Sequence, residues 1–519
     1  MVNMSVALRY GSVFLVEMAR DFFLEPLEFL YKVERKTDSS LRFGRALKTV
    51  TSCLGKWIIP DPHLTQLEIT RSYSKGLALL DEEGRLGVRK RWARFRYQLQ
   101  QGELRRTSVT PSKQEINCGT TRILHLLTNS VPYTQSGYTE RTLQVLRAQS
   151  KAGFQLRAAT RFAYPLVVGH FPTSRVERIG EVEVERIIPR SPILTSLMRE
   201  RFYVDRIVEI CRTHRIEAIH TTTGFPNAVI ASKAARELGI PWFYEVRGEL
   251  EATWLSRFHK DDYELAKNSD YFINARRLEY EAMSSCAGLV VLSDVSKRAL
   301  VDRGIDPSKI VVVPNALEDD FARQSEAART QDREELLDGL GLDQNRIYIG
   351  AITSVVDYEG LDLAVDSLKF LPKNFELLIV GSGPDMESLK HHVAMSPERD
   401  RVTLVGRIPT SRIVDWYRAL DVFVMPRRDV EVCRRVTPTK ALKAQALGVP
   451  VVASDLAPLR EVTGGYARFF KPGDDKDLAA QIMRALKDGY DSGAQNWLKR
   501  RTWSANAERY RQLYRKRQL

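Results

Sequence analysis

The hydrophobic pattern changes character near residue 122. Before it, apolar residues recur at helical spacing; after it, short apolar runs alternate with helical stretches. ILHLLTN (Ile123–Asn129) reads as a buried strand. SGYTERTLQVLRAQSKAG (Ser136–Gly153) reads as a glycine turn and a helix stopped by Gly153, and FQLRAAT as the next strand. EAIH (Glu217–His220), a helix from Asn227 to Leu238 ended by Gly239, and PWFYEVRG (Pro241–Gly248) continue the series. GLVVLSDVSKRAL (Gly288–Leu300) gives a strand and a helix capped by Ser293 or Asp294, and KIVVVPN (Lys309–Asn315) closes the set. Short apolar strands separated by helices predict an α/β fold with a parallel, doubly wound sheet.

Asp319–Leu340 is charged and weakly patterned, and reads as a linker with a short helix. A second series follows. Arg346–Ile352 is a strand, VDYEGLDLAVDSL a turn and helix, and ELLIVGSGPDMESLK a strand, glycine turn and helix. RVTLVGRIP, DVFVMP and PVVAS supply further strands. Two Rossmann-like halves are therefore expected, with ligands in a cleft between facing strand ends. The expected boundaries are 1–120 for a helical extension, 121–318 and 319–500 for the two halves, and 501–519 for a last helix returning to the first half.

The extension lacks the strand rhythm. Val13–Lys32 is amphipathic and aromatic, broken at Pro26, and suits either a membrane surface or packing on the next domain; acids on its face favour packing. Asp61–Thr65 and Thr107–Thr121 read as turns or linkers.

Length changes the picture little: 519 residues suit two to four domains. Charge changes it more. The net value is +14, which suits nucleic acid, anionic lipid or phosphorylated substrates. No RNA- or DNA-binding module is present, so nucleic acid is not an expected partner. The dense run GVRKRWARFR (Gly87–Arg96) is either a solvated helix face or a contact for lipid headgroups. No apolar run approaches the ~20 residues of a membrane span, and no secretory signal is read at the start. Five scattered cysteines lack ligand spacing, so no metal site is expected and a reducing cytosol is. The expected location is cytoplasmic, with peripheral contact on the inner membrane face.

The densest chemistry lies in DVFVMPRRDVEVCRRVTPTKALKAQALGVPVVASD (Asp421–Asp455). It reads as strand, loop, helix, strand, with Thr437 as N-cap and Pro438 at the first helical position of Pro438–Leu447. A helix N-terminus at the C-terminal edge of a parallel sheet favours phosphate. The segment resembles the sugar-nucleotide-binding stretch V-T-P-L-K-P-L-E-A-M-A-x-G-x-P-V-V-A-S-D of retaining glycosyltransferases with the GT-B fold, the large group that includes glycogen synthases and mannosyltransferases. Lys443 stands where that group has a glutamate. Ser136–Thr142 matches its S-G-Y-T-x-R-T, and Tyr244–Gly248 its Y-E-V-R-G. The resemblance covers about residues 122–515.

The resemblance implies transfer of a sugar from a nucleotide-diphosphate sugar to a hydroxyl of a glycan or lipid-linked acceptor, with retention and without a metal or other cofactor. It implies catalytic-side roles for His220, where relatives write H-x-H and this chain His220-Thr221-Thr222, and for Arg247. Gly137 is the expected backbone approach to the donor diphosphate. Gly381 and Gly383 match V-G-x-G-P, and Ile408 in VGRIP is placed beside the base. Relatives carry an Arg and a Lys in G-R-x-x-x-x-K-G; here Ser354 and Glu359 stand in those places. Arg427, Arg428, Arg434, Arg435 and Lys440 on the neighbouring loop are the expected replacements, with Thr437 and Lys443 completing the donor set. A lysine cannot accept the ribose hydrogen bonds that the missing glutamate would take. The rival reading is an inactive relative that binds glycan or a partner protein.

Overall fold

The computed structural model describes residues 4–26, 62–82, 86–112, 121–258, 260–318 and 332–515, with Phe321 and Ser325 besides. The chain divides into two compact units. The first takes the chain up to Val290 together with the stretch from Leu513, and the second spans Val291–Gln512.

The first sheet contains β1 (Arg122–Leu127), β2 (Gln155–Thr160), β3 (Val176–Ile179), β4 (Val182–Glu185), β5 (Ala218–Thr222), β6 (Trp242–Glu245), β7 (Gly288–Val291) and β8 (Ile310–Val312). Its order is β3-β4-β2-β1-β5-β6-β7-β8. β4, β2, β1, β5, β6 and β7 pair in parallel, while β3 and β4 form an antiparallel hairpin around Gly180. That hairpin was not expected. Its signal was present in the alternation VERIGEVEVE, which buries Val182 and Val184 and turns the glutamates outward.

Among the described residues, four helices precede β1: Met4–Leu24, Pro62–Ile69, Tyr73–Glu82 and Val88–Arg106. Pro62–Thr65, expected in a turn, opens a helix instead. Proline fits a first helical turn because the amide it lacks would have no partner there. The last three helices share a small core of Leu64, Tyr73, Leu80, Ala93 and Tyr97, and bury the Arg96–Glu68 ion pair at 2.6 Å. The expected continuation of the first helix beyond Pro26 to Lys32 and half of the expected linker 319–340 lie outside the described residues; Arg333–Gly339 of the latter is helical. No described helix is long and apolar enough to cross a membrane.

The second sheet contains β9 (Ile347–Ile352), β10 (Phe375–Val380), β11 (Val402–Gly406), β12 (Val422–Met425), β13 (Val451–Ser454) and β14 (Arg468–Phe470), all parallel, in the order β11-β10-β9-β12-β13-β14. Both faces are covered. Leu378, Val380 and Phe423 enter one apolar cluster, and Leu377, Ile379 and Val424 enter the other. Alternate residues of one strand thus serve opposite cores, which is why these strands read as unbroken apolar runs. The order reverses between β9 and β12. At such a switch point the loops leaving adjacent strands diverge and open a crevice at the strands' C-terminal ends.

Candidate functional site

The switch point of the second sheet gathers Ser354, Arg427 and Lys440 of the expected donor residues, with the Gly381–Gly383 turn beside them. Thr353 and Ser354 leave β9, and Arg427 leaves β12 two residues past Met425. The β9 loop continues into a single turn at Asp357–Glu359, closed by Gly360 in the left-handed region at φ 66°. A Cβ on Gly360 would lie 2.0 Å from the Pro426 carbonyl oxygen, so only glycine lets the two loops touch. This contact brings Glu359 under the Arg427 side chain.

Glu359 is buried and holds two cations. Arg427 Nη2 donates to its Oε1 at 2.8 Å and Nε to its Oε2 at 3.3 Å; Lys440 Nζ donates to Oε1 at 2.8 Å and also to Thr353 Oγ1. Arg427 is buried as well and gives Nη1 to the Val436 carbonyl at 3.2 Å. Burial alone would raise the pKa of Glu359, yet Lys440 and Arg427 bring it down to about 2. Burial lowers the pKa of Lys440 against the pull of Glu359. With the lysine protonated the cluster carries one negative and two positive groups. The glutamate that replaces the relatives' lysine is therefore the anchor that fixes two cations recruited from elsewhere.

The glycine turn after β10 lies against the same β9 loop. A Cβ on Gly381, at φ 141°, would sit 1.8 Å from the Thr353 carbonyl oxygen, and one on Gly383 would sit 2.0 Å from that of Val355. Val355 N donates to the Ser382 carbonyl and Asp385 N to that of Val355, at 3.2 Å each. Both glycines are needed for this close backbone approach, which sets the turn beside Thr353. Ser354 is exposed, and Ile408 is half-buried against the core on the β11 side.

Three expectations on the loop after β12 need correction. The helix runs Lys440–Ala446 with Thr439 at the N-cap position, so Thr437 and Pro438 precede it and Thr437 caps nothing. The Thr437 hydroxyl is buried and has no hydrogen-bond partner among the described residues, while its carbonyl accepts from Asn315 Nδ2 at 3.1 Å. Arg434 is exposed and clamped on Asp429, and Arg435 pairs with Glu431 at 3.2 Å. Arg428 turns to Asp362 and Asp357. Of the five expected replacement cations, the fold brings Arg427 and Lys440 together at the switch point. Lys443 pairs with Glu318 at 3.0 Å over the ring of Phe321, so its charge is already answered within the protein.

In the first unit the expected residues converge on a buried polar network. His220 on β5 is fully enclosed. Its Nε2 lies 3.2 Å from Glu245 Oε2, and its Nδ1 lies 2.9 Å from the Tyr514 hydroxyl. Glu245 on β6 accepts from Arg141 Nε at 2.7 Å and from Arg247 Nε at 2.9 Å. Burial would raise its pKa, but Arg247 and Arg141 hold it well below the usual carboxylate range. Burial keeps His220 neutral by lowering its pKa, and it drives neighbouring His125, whose ring centre is 5.0 Å away, down to about 3. His220 is thus a framework residue in this structure: both ring nitrogens are engaged by protein groups. Arg247 is buried too, donating Nη1 to the Tyr138 carbonyl at 2.9 Å and to Thr142 Oγ1 at 2.5 Å.

Gly137 takes the first position of the helix Gly137–Lys151, not a left-handed turn. Ser136 caps that helix in a reciprocal pair with Thr139, and Gly137 is exposed with nothing within 4 Å of a built Cβ. The residues that sequence reasoning missed are Thr353 and Glu318, together with the anchoring parts played by Glu359 and Glu245. Glu359 was seen only as a missing lysine. Its position one residue before an obligatory glycine was the available signal.

Residues 136–316 match the glycosyl transferase 4-like domain, and residues 344–488 match glycosyl transferases group 1; together they take in more than half of the chain. The chain is 39% identical over 143 residues to the lipopolysaccharide core biosynthesis mannosyltransferase LpsB of Rhizobium meliloti, covering 26% of this chain and 39% of that protein. It is 32% identical over 170 residues to the D-inositol 3-phosphate glycosyltransferase of Xylanimonas cellulosilytica, covering 31% and 38% respectively. The chain thus spans about two fifths of the length of these curated relatives. Sucrose-phosphate synthase from Thermosynechococcus elongatus shares the fold, with a TM-score of 0.60 at 17% identity over 76% of this chain and 98% of that one. The two matched segments lie on different doubly wound sheets, and the chain belongs to the GT-B glycosyltransferases, with a glycosyl transferase 4-like domain followed by a glycosyl transferases group 1 domain.

Proposed function

We propose that the protein transfers a sugar from a nucleotide-diphosphate sugar to a hydroxyl of a glycan or lipid-linked acceptor on the cytoplasmic side of a membrane. The observation that carries this reading is the cluster of Lys440, Thr353, Glu359 and Arg427 at the switch point of the second sheet, beside the Gly381–Gly383 turn. Departure of a nucleoside diphosphate builds negative charge on the leaving oxygens. Fixed cations in a poorly solvated site stabilise that charge without reorganising. Lys440 is the mobile partner: its ammonium trades Glu359 or Thr353 for a phosphate oxygen. Arg427 is the fixed one, held by three hydrogen bonds, two to Glu359 and one to the Val436 carbonyl.

The turn at Gly381–Gly383 offers backbone to the same ligand, and Ile408 on the β11 side is the candidate neighbour of the base. In this reading the reaction keeps the configuration at the sugar carbon and draws its charge stabilisation from Lys440 and Arg427 rather than from a cation cofactor. His220 and Arg247 act through the buried network that shapes the first unit's strand ends.

The test is a thermal-shift and calorimetric panel of UDP-, GDP- and ADP-sugars with the full chain, followed by product analysis with the donor that binds. A true donor stabilises by about 2.7 kcal/mol when present at 100 times its Kd. No shift with any nucleoside diphosphate would refute the reading and favour a protein that has lost the reaction.

A further inference from the structure

The helix Met4–Leu24 has two apolar faces. Its inner face buries Tyr10, Val13, Glu17 and Leu24, and Arg199 Nη1 reaches Glu17 Oε2 at 2.9 Å. Its outer face carries Ser12, Leu15, Met18 and Ala19, all exposed and none charged. Leu15 is 65% exposed. A helix lying on a water-facing domain puts its charged residues on that side.

Two neighbouring elements add to the same rim. At the start of the helix Ser196–Thr213, Leu194, Leu197 and Met198 are 72%, 77% and 61% exposed. Arg20 Nη2 donates to Ser196 Oγ at 3.4 Å, and Ser196 in turn bonds Glu103, so the three helices meet at one residue. Phe23 lies edge-on to Phe95, with ring centres 6.3 Å apart, and Phe95 is itself 54% exposed. Phe95 sits on the helix Val88–Arg106, which contains seven basic residues and one acid, Glu103; Arg96 is buried against Glu68 and Arg94 pairs with Asp81, while Arg89 and Arg91 are exposed.

Isolated exposed leucines are ordinary; several of them on adjoining helices, one of which is rich in arginine, are not. A second copy of the chain would bring this arginine-rich helix against itself, and like charges oppose that pairing. An anionic bilayer meets both features at once. Its acyl boundary takes the apolar tips, and its headgroups take the guanidinium groups.

We propose that this rim of the first unit, formed by the outer face of Met4–Leu24, the Leu194–Met198 corner and the basic helix Val88–Arg106, is a docking surface for an anionic phospholipid bilayer. The proposal is independent of the sugar-transfer reading, because none of these residues lies in the donor cluster. It assigns to the helical extension, which precedes both family-matched segments, the task of holding the protein at a lipid surface.

The test is flotation of the full chain with vesicles of phosphatidylcholine alone or mixed with phosphatidylglycerol. The wild type is expected to float with the mixed vesicles, to be released by salt, and to bind the neutral vesicles weakly. Leu197→Glu with Met198→Glu should lower binding about tenfold or more, since each loses a buried apolar group and gains a repelled charge. Arg89→Gln with Arg91→Gln should weaken binding and flatten the salt dependence. Met395→Glu, at an exposed apolar residue of the second unit, should change nothing. Circular dichroism and unfolding midpoints matching the wild type confirm that the variants fold. Equal binding to both vesicle types, no binding to either, or a wild-type dimer that Leu197→Glu dissolves would each overturn the proposal.

Discussion

Glu359→Gln separates the anchoring role of this carboxylate from every role in binding. The side chain keeps its shape and loses its charge. In the native protein the carboxyl is brought from an ordinary 4.5 to about 2, which corresponds to about 3 kcal/mol of preference for the charged form. Leaving Arg427 buried without its counter-charge gives a similar figure, about 3–5 kcal/mol. The sign follows from the direction of the shift. A depressed carboxylate contributes stability that is complete above pH 4.5 and is lost as the pH falls toward 2. Wild type and Glu359→Gln should therefore differ by about 3 kcal/mol in urea unfolding at pH 7, and the gap should close on acidification. Binding should move the other way. Glu359 competes with phosphate for Lys440 and Arg427, so its neutralisation should tighten UDP binding, roughly tenfold in calorimetric titration at low salt. A variant as stable as the wild type at pH 7, or a gap that survives acid, would refute the electrostatic account. Lower stability with unchanged UDP affinity would confine Glu359 to the framework.

Lys440→Ala should weaken UDP by about tenfold or more while leaving uridine unchanged, because the ammonium meets phosphate and not base; equal losses in titration would remove it from the phosphate site. Gly383→Ala should cost about 2 kcal/mol or more in unfolding and abolish donor binding, since its Cβ would lie 2.0 Å from the Val355 carbonyl oxygen. Glu279, buried and accepting from Tyr244 Oη and Phe225 N at 2.6 Å each, is pushed up by burial from 4.5 to about 7, with Glu251 and Glu249 adding to the rise and the Tyr244 bond opposing it. A raised carboxyl contributes stability that is complete below pH 4.5 and falls as the pH climbs through 7, by about 3 kcal/mol, and Glu279→Gln should flatten that slope in unfolding midpoints measured from pH 4 to 8.

The strands and their grouping into two parallel sheets were legible because burial on both faces leaves unbroken apolar runs such as Leu377–Val380. Helix ends with a strong local cause were legible too: Ser293 caps its helix and Gly239 ends another. What local reasoning could not supply was pairing. Lys440 meets Glu359 across 81 positions and Lys443 meets Glu318, so a charge read from its neighbours in sequence says little about the partner it finds. The same holds for Thr437. Its spacing before a proline suggested a cap, but the chain delays the helix to Lys440, whose side chain reaches back to the β9 loop. Family likeness singled out His220 and Arg247, and the structure buries both in one hydrogen-bonded network around Glu245.

The helix Trp503–Arg515 gives this architecture an order of assembly. Tyr514 is fully buried in the first unit, where its hydroxyl joins His220 Nδ1 and accepts from Gln149 Nε2 at 3.2 Å. Some 222 residues of the second unit, Val291–Gln512, separate that tyrosine from the rest of the unit it completes. A ribosome adding about 5–20 residues per second therefore leaves the first unit short of Tyr514 for roughly 10–45 s after its last strand has been made. During that interval the hydrogen bond between His220 Nδ1 and the Tyr514 hydroxyl is not yet made. The nascent first unit thus waits on the synthesis of the second for a hydrogen bond of its own core.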